Sequence, residues 1–505
     1  MSPRRLASFL AGASVLVAGL LGPSPVVAQD SARWKAWPSS QPPRGLAARD
    51  MKFPPYEIRT LSNGLRVIAV SQQEQPAVTL RLLVRAGSAQ DPKGKAGLAT
   101  LTAALLDQGT TTRTAEQIAE TIDDIGGGLG TGAGTDLSFI NVVVMKDSLD
   151  LALDLLSDVA RNPAFKDEEI ARQREQLLSA MKVSAEDPEY LAGAVIDRLV
   201  YGFHPYGVPG SGTEESVAGL TRDDVARFHR DWFVPNNAVL AIVGDLSPQE
   251  AFAGAERAMA AWARRDVPAM SFPDPPPATR RVVVVDKPGA VQTEIRIGNV
   301  AVPRKHPDYL ALELAVRILG GEGSNRLQRV LRSERSLTYG ASADLQALKQ
   351  AGGIVAETDT RSQATGEALR LAVEEFWKPI REPVGDWELA NAKAYITGNY
   401  PLTLETPNAI AVQVLNTIFY ELDLKELETF RDRVNGVTVD DIQRVSRSYL
   451  QPGRLSIALV GDASAIAPQL RAVGFEEFEV VPIDQLDLSA VNFRRAAPQA
   501  SIRQP

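Results

Sequence analysis

Leu220-Thr221-Arg222-Asp223-Asp224-Val225, followed by Pro235 and Val243-Gly244-Asp245, recurs as Val437-Thr438-Val439-Asp440-Asp441-Ile442, Pro452 and Val460-Gly461-Asp462. The spacing is 217 residues throughout, with no gap. Chance similarity between two helix–turn–strand units would not hold a Pro and a Gly in one register, so the chain is a duplication. A long period with two copies means tandem domains and not a solenoid. Each copy mixes hairpin-linked strands with clustered helical periods. That pattern predicts an α+β fold: two homologous domains in tandem, each an antiparallel-rich sheet covered by helices.

Outward from this repeat, the first domain is predicted over 57–265. Asn63-Gly64 is a hairpin turn signal between strands at 56–61 and 65–70. Residues 78–86 alternate apolar and polar as a half-buried strand does. Helical periods follow at 94–107, 114–125, 147–160, 166–185, 190–201 and 221–232, then a strand at 238–243 and a helix at 247–262. Pro273-Asp274-Pro275-Pro276-Pro277 marks a stiff linker over 266–280. The second domain is predicted over 281–485, with a tail over 486–505.

Length and composition bound the rest. A chain of 505 residues holds two or three ordinary domains. It has no Cys, which excludes disulfides and thiolate chemistry. Its net charge of −8 argues against a sequence-independent grip on nucleic acid. Arg4 and Arg5 precede an apolar run from Leu6 to Leu21, then Pro23, Pro25 and the small-residue site Val26-Val27-Ala28. Residues 1–28 therefore look like an export signal. The run is shorter than the about 20 residues a membrane span needs. A Pro-rich extension over 29–56 would begin the mature chain, which has no integral membrane segment.

Gly97-Leu98-Ala99-Thr100-Leu101-Thr102-Ala103-Ala104, ending in Gly109-Thr110, carries a family resemblance. It is similar to the frame Gly-Leu-Ala-His-x-x-Glu-His-x-x-x-x-Gly-Thr of the insulinase/pitrilysin-like metallopeptidases, whose inverted zinc motif sits on a helix. Here the three functional positions hold Thr100, Ala103 and Ala104. Positions i, i+3 and i+4 share one helix face, and one hydroxyl with two methyl groups neither binds zinc nor activates water. The family's third ligand, a Glu on a later helix, falls at Gln173, with Glu175 nearby. The only histidines, His204, His229 and His306, lie in separate segments and fit structural or surface roles.

The second copy keeps another signature. Leu319-Gly320-Gly321-Glu322-Gly323-Ser324-Asn325-Arg326-Leu327, then Leu331-Arg332 and Tyr339, resembles the family's Gly-Gly and Ser element with its downstream Arg and Tyr. In active members that pair reaches the bound peptide near the metal, which the resemblance places on Arg332 and Tyr339. A phenol stabilises negative charge building on a peptide carbonyl, and a guanidinium holds peptide carbonyls. The bland alternative is a surface ion pair for Arg332 and strand packing for Tyr339. Gly320 and Gly321 either admit substrate backbone or cap a helix. Gly126-Gly127-Gly128, Gly130, Gly132 and Gly134 lack the Lys-Ser/Thr of a phosphate loop and fit a turn and strand.

The resemblance implies the zinc-free half of a bacterial two-chain peptidase. This chain would bind no cofactor and would form half of a clamshell around an unfolded peptide. Zinc would sit on a homologous partner, in a heterodimer or larger assembly, exported to the bacterial periplasm. Two other readings remain: a non-catalytic assembly scaffold, and a self-sufficient zinc peptidase, which Thr100, Ala103 and Ala104 oppose.

Overall fold

The computed structural model describes residues 52–495, apart from 322 and 324. The first copy runs β1 (Tyr56–Thr60), β2 (Arg66–Ser71), β3 (Ala77–Val84), α1 (Leu98–Leu105), α2 (Ala115–Asp124), β4 (Gly128–Ala133), β5 (Ser138–Met145), α3 (Leu149–Arg161), α4 (Asp167–Ser184), α5 (Pro188–Tyr201), α6 (Glu214–Ala218), α7 (Arg222–Trp232), β6 (Ala238–Gly244) and α8 (Pro248–Met259). The second runs β7 (Val282–Asp286), β8 (Gln292–Ala301), α9 (Tyr309–Gly320), β9 (Ala341–Ala347), β10 (Gly352–Arg361), α10 (Thr365–Arg381), α11 (Asp386–Asn399), α12 (Pro407–Phe419), α13 (Glu426–Gly436), α14 (Val439–Tyr449), β11 (Ser456–Gly461), α15 (Ala463–Ala472) and β12 (Glu479–Pro482).

The two sheets have the orders β1-β2-β6-β3-β5-β4 and β12-β7-β11-β8-β10-β9. Read position by position, β2 matches β7, β6 matches β11, β3 matches β8, β5 matches β10 and β4 matches β9. The duplication is therefore a duplication of topology. Only one edge departs from it: β1 pairs antiparallel with β2, whereas β12 arrives from the far end of the chain and pairs parallel with β7. The repeated Thr-x-x-Asp starts α7 and α14, where Thr221 with Asp224 and Thr438 with Asp441 form reciprocal caps.

Each sheet rests one face on helices of its own copy. Its other face is covered by a helix from the other copy. Ile410, Ala411, Val414, Leu415 and Ile418 of α12 pack on Ile68, Val70, Leu83, Val239, Ala241 and Val243 of the first sheet. In return Leu191, Ala192, Val195, Ile196 and Leu199 of α5 pack on Val283, Val285, Ala458 and Val460 of the second. Alternate residues of a strand point to opposite faces, so Val67 and Ala69 face their own helices while Ile68 and Val70 face α12. With both faces covered, β6 and β11 are buried at every residue. The exchanged helices correspond in the repeat, and each opens with a Pro in its first turn behind a side-chain cap, Asp187 or Thr406.

The Pro-rich stretch at 266–280 has no regular structure. The tail expected from 486 is a different matter. Residues 486–495 fold back on the second copy: Phe493 is 1% exposed, Arg281 lies 4.9 Å over its ring, and the Asp487 N–H bonds to its carbonyl at 2.9 Å. A single buried aromatic anchors a segment too polar to show an apolar period. The expected export signal over 1–28 lies outside the described residues, as does the 29–56 extension up to residue 51. Phe53, near its end, is buried in the α12 cluster. Among the described residues no helix is long and apolar enough to cross a membrane.

Truncating an exchanged helix should be felt in the other copy. Ile410→Ala is expected to cost about 2–5 kcal/mol in chemical denaturation and to speed amide exchange in β2 and β6. Exchange that rises only in the second copy would contradict the shared core.

Candidate functional site

The Gly-Gly element is built by close packing. A Cβ on Gly320 would lie 2.2 Å from the Ala343 nitrogen and 2.4 Å from its Cβ, so Gly320 lets α9 cross β9 and is buried there. Gly321 ends the helix, its N–H bonding to the Arg317 carbonyl at 2.8 Å, and it stands in the wall of a groove. Of the two roles left open for this pair, Gly320 serves packing, and Gly321 combines a cap with a place beside the groove.

The chain beyond is tied down on both sides. Asn325 donates to the Gly321 carbonyl at 2.9 Å and accepts from the Gln328 N–H at 2.7 Å. Arg326 forms a two-pronged pair with Glu388, both contacts 2.7 Å. Arg332 sits on a π-helical stretch, Gln328–Glu334, a wide turn that is rare and recurs at functional sites. Leu337 is buried, and the hydroxyls of Thr360 and Thr358 bond to the carbonyls of Leu337 (2.8 Å) and Gly340 (2.9 Å). Between these anchors Tyr339 projects outward and is 85% exposed. Arg332 is exposed as well, and among the described residues no carboxylate lies within ion-pair distance of it. Among the described residues, Arg332 makes no surface ion pair and Tyr339 does not pack against a strand.

Arg332 and Tyr339 line a groove of about 500 Å³. Deep in it lies Arg296, 5% exposed, with Glu294 at 3.2 Å, Glu357 at 3.4 Å and Glu189 at 3.7 Å. Glu294 and Arg296 lie two apart on β8 and so share a face. Glu357 is the β10 residue paired opposite Arg296. Glu189 belongs to the first copy, brought here by α5. Burial pushes the Glu294 carboxyl up, and Arg296 opposes that shift. A second groove of about 590 Å³ shares Glu189, Arg296 and Glu357 and continues past Asp187 and Asp197 to Pro209-Gly210-Ser211. Together the two grooves present six carboxylates (Asp187, Glu189, Asp197, Glu294, Glu357, Asp359) and two guanidiniums, Arg296 and Arg332. The lining is acidic.

The far end of this trough touches α1, the helix of the degenerate zinc motif. The Thr100 hydroxyl donates to the Gly210 carbonyl at 2.7 Å. Gly97 has φ +91°, and a Cβ on it would lie 2.4 Å from the Ser211 carbonyl oxygen, so this loop closes tightly on the helix start. Ala103 is buried and Ala104 half-buried. Gln173, on α4, is half-buried, and Glu175 is exposed. Among the described residues no three His, Cys, Asp or Glu side chains stand together as a metal would require. The donor set on this helix face does not fit zinc.

The histidines are engaged elsewhere. His204 accepts from the Tyr206 N–H at 3.1 Å, and His306 accepts from the Asp308 N–H at 3.1 Å. His229 bonds to the Ala160 carbonyl at 2.9 Å, and burial pushes its pKa down to about 4.

Sequence reasoning missed Arg296 and its carboxylates. The signal available was two charged residues, Glu294 and Arg296, on one face of a strand whose Ile295 and Ile297 point the other way. Their partners come from other elements.

Comparison with known proteins agrees with this architecture. Residues 66–212 match the family model described as insulinase (peptidase family M16), and 219–396 match that of the peptidase M16 inactive domain. An uncharacterized zinc protease of Mycobacterium leprae is 25% identical over 80% of this chain and 91% of its own length. Another from Bacillus subtilis is 21% identical over 77% and 93%. A peptidase M16 inactive domain from Pseudomonas fluorescens superposes with a TM-score of 0.76 at 27% identity, covering 81% of this chain and 98% of that one. A protease from Helicobacter pylori shares the fold, with a TM-score of 0.75 at 21% identity over 81% and 99%.

Burial without a described partner pushes the Asp197 carboxyl up to about 7. The native state then holds a proton that the unfolded chain releases near pH 4, so this contribution to stability is lost as pH climbs from roughly 4 through 7. Asp197→Asn should flatten that decline and raise the denaturation midpoint above the parent's at mildly alkaline pH. Parallel midpoint-versus-pH curves for the two proteins would refute the assignment.

Proposed function

The chain belongs to the insulinase family of peptidases, M16, and from that premise we propose that it is the zinc-free subunit of a two-chain peptidase. One observation carries this reading. A guanidinium without a described counter-charge and a largely exposed phenol are held on a backbone pinned at both sides, in a chain whose zinc-motif helix offers no ligands. Such groups are placed to act on something outside the chain.

In this reading, Tyr339 donates a hydrogen bond to the carbonyl oxygen of the scissile peptide as negative charge builds on it. Arg332 donates hydrogen bonds to peptide carbonyls and fixes the register of the chain in the groove. Arg296 holds Glu294 and Glu357 in place along the floor, with Glu189 beside them. The partner is a homologous chain with an intact His-x-x-Glu-His, and zinc bound there would supply the activated water. The two close as a clamshell on an unfolded peptide, in a heterodimer or larger assembly. This subunit holds no metal of its own. Export through residues 1–28 to the periplasm completes the proposal.

Two measurements test it. Purified chain is expected to carry less than about one zinc per ten molecules and to cleave no peptide alone. Stoichiometric zinc with activity that survives repurification would overturn it. With the zinc-bearing chain added, Tyr339→Phe should lower turnover on the order of tenfold or more while the complex still assembles. Unchanged turnover would favour a scaffold.

A further inference from the structure

Helices α9, α11, α12 and α13 of the second copy surround another cavity, of about 280 Å³, that shares no lining residue with the groove. Four rings stand in its walls, Tyr309, Tyr395, Tyr400 and Phe430, beside polar side chains such as Thr403, Gln413 and Thr417. Tyr400 and Phe430 lie 4.8 Å apart between ring centroids, and the Tyr400 hydroxyl is spent on the Leu427 carbonyl at 2.6 Å. That ring offers the cavity its apolar surface.

Two guanidiniums, Arg304 and Arg317, and two carboxylates, Glu313 and Glu426, stand in the lining. Glu313 is paired with Arg317 at 2.9 Å, and Glu426 with Arg433 at 2.6 Å. Arg304 stacks 3.9 Å over the Tyr309 ring, and among the described residues no carboxylate lies within ion-pair distance of it. Tyr309 is no counter-ion, because burial pushes its phenol up to about 12. A planar guanidinium stacked on an aromatic face still presents its donor edge. Arg304 itself lines the cavity, beside these rings.

We propose that this cavity binds an aromatic carboxylate, with the ring among Tyr309, Tyr400 and Phe430 and the carboxylate held by Arg304. The size suits one aromatic amino-acid residue, at the lower end of the range for ligand sites. Aromatic rings pack edge-to-face or offset against such walls, and a guanidinium grips a carboxylate through two parallel N–H bonds. A free aromatic acid and the C-terminal residue of a peptide share this chemistry.

Calorimetric titration of the full chain tests the proposal, with N-acetyl-L-phenylalanine, its amide and N-acetyl-L-alanine as probes. The acid should bind, and the amide and the alanine compound should bind at least about tenfold more weakly. Arg304→Gln should abolish the preference for acid over amide while its melting temperature stays close to the parent's. If that variant fails to fold, the acid–amide comparison on the parent protein decides. Equal binding of acid and amide would overturn the proposal, as would a preference that survives in Arg304→Gln or the absence of heat at millimolar acid. The peptide Gly-Gly-Phe separates the two sources. Tighter binding than the acetylated residue assigns the site to peptide C termini, weaker binding assigns it to free aromatic acids, and both support an aromatic-carboxylate site.

Discussion

Neither copy closes its own sheet. The inner strands β6 and β11 are buried on both faces, and in each case the second face is covered by a helix that belongs to the other half of the chain. The fold is held by that exchange, because apolar strands left open on one side would expose most of their side chains to water. It makes the two copies one cooperative unit despite the separate clusters around α1 and α9. A polar bridge adds direction to the apolar contact. Tyr206 donates to Asp136 at 2.6 Å, Asp136 accepts from the Lys349 N–H at 3.0 Å, and the Gln350 N–H donates to Tyr206 at 3.1 Å. Burial raises the Asp136 carboxyl, while these bonds favour its charged form and oppose the shift.

The groove inherits its chemistry from the same exchange. Because α5 crosses onto the second sheet, Asp187, Glu189 and Asp197 of the first copy stand beside Glu294, Arg296 and Glu357 of the second. Arg296 is nearly inaccessible, so its pairing with Glu294 and Glu357 decides whether its charge is tolerable there. Glu189 is mostly exposed at 3.7 Å and adds little to stability. It stays available to whatever lies in the trough.

The sequence disclosed what depends on neighbours along the chain. The Thr-x-x-Asp caps of α7 and α14 are local, so the repeat showed itself and with it the tandem α+β design. The linker prolines acted locally too. Helix exchange was illegible because α5 and α12 carry the same apolar content whichever sheet they cover. The pairing of Arg296 with Glu357 depends on the β8–β10 register and leaves no mark at either residue alone. Arg332 and Tyr339 stood out only through the family frame. A π-helical stretch followed by Ser336 at φ 51° follows no ordinary period, so spacing could not show which way either side chain points. Phe493 escaped for the opposite reason: one aromatic in a polar segment carries no pattern.

The two copies treat equivalent helices differently, and that difference explains how one chain can lose a metal seat and keep its architecture. Ligands on a zinc helix are held for the metal and not for the core, so small residues at their positions leave the helix free to pack. Alanine is the best helix former. Ala103 and Ala104 therefore suit the backbone of α1, and Thr100 turns its hydroxyl to Gly210, where it fastens a loop and satisfies a carbonyl. α9 instead ends where it meets β9, because Gly320 admits a contact no larger residue could. The stretch beyond it is fixed by Asn325, Arg326 and the threonines of β10, and that fixing leaves Arg332 and Tyr339 facing outward. The hydrogen bonds of this stretch hold its backbone and leave both side chains without a partner among the described residues, which is what the role proposed for them requires.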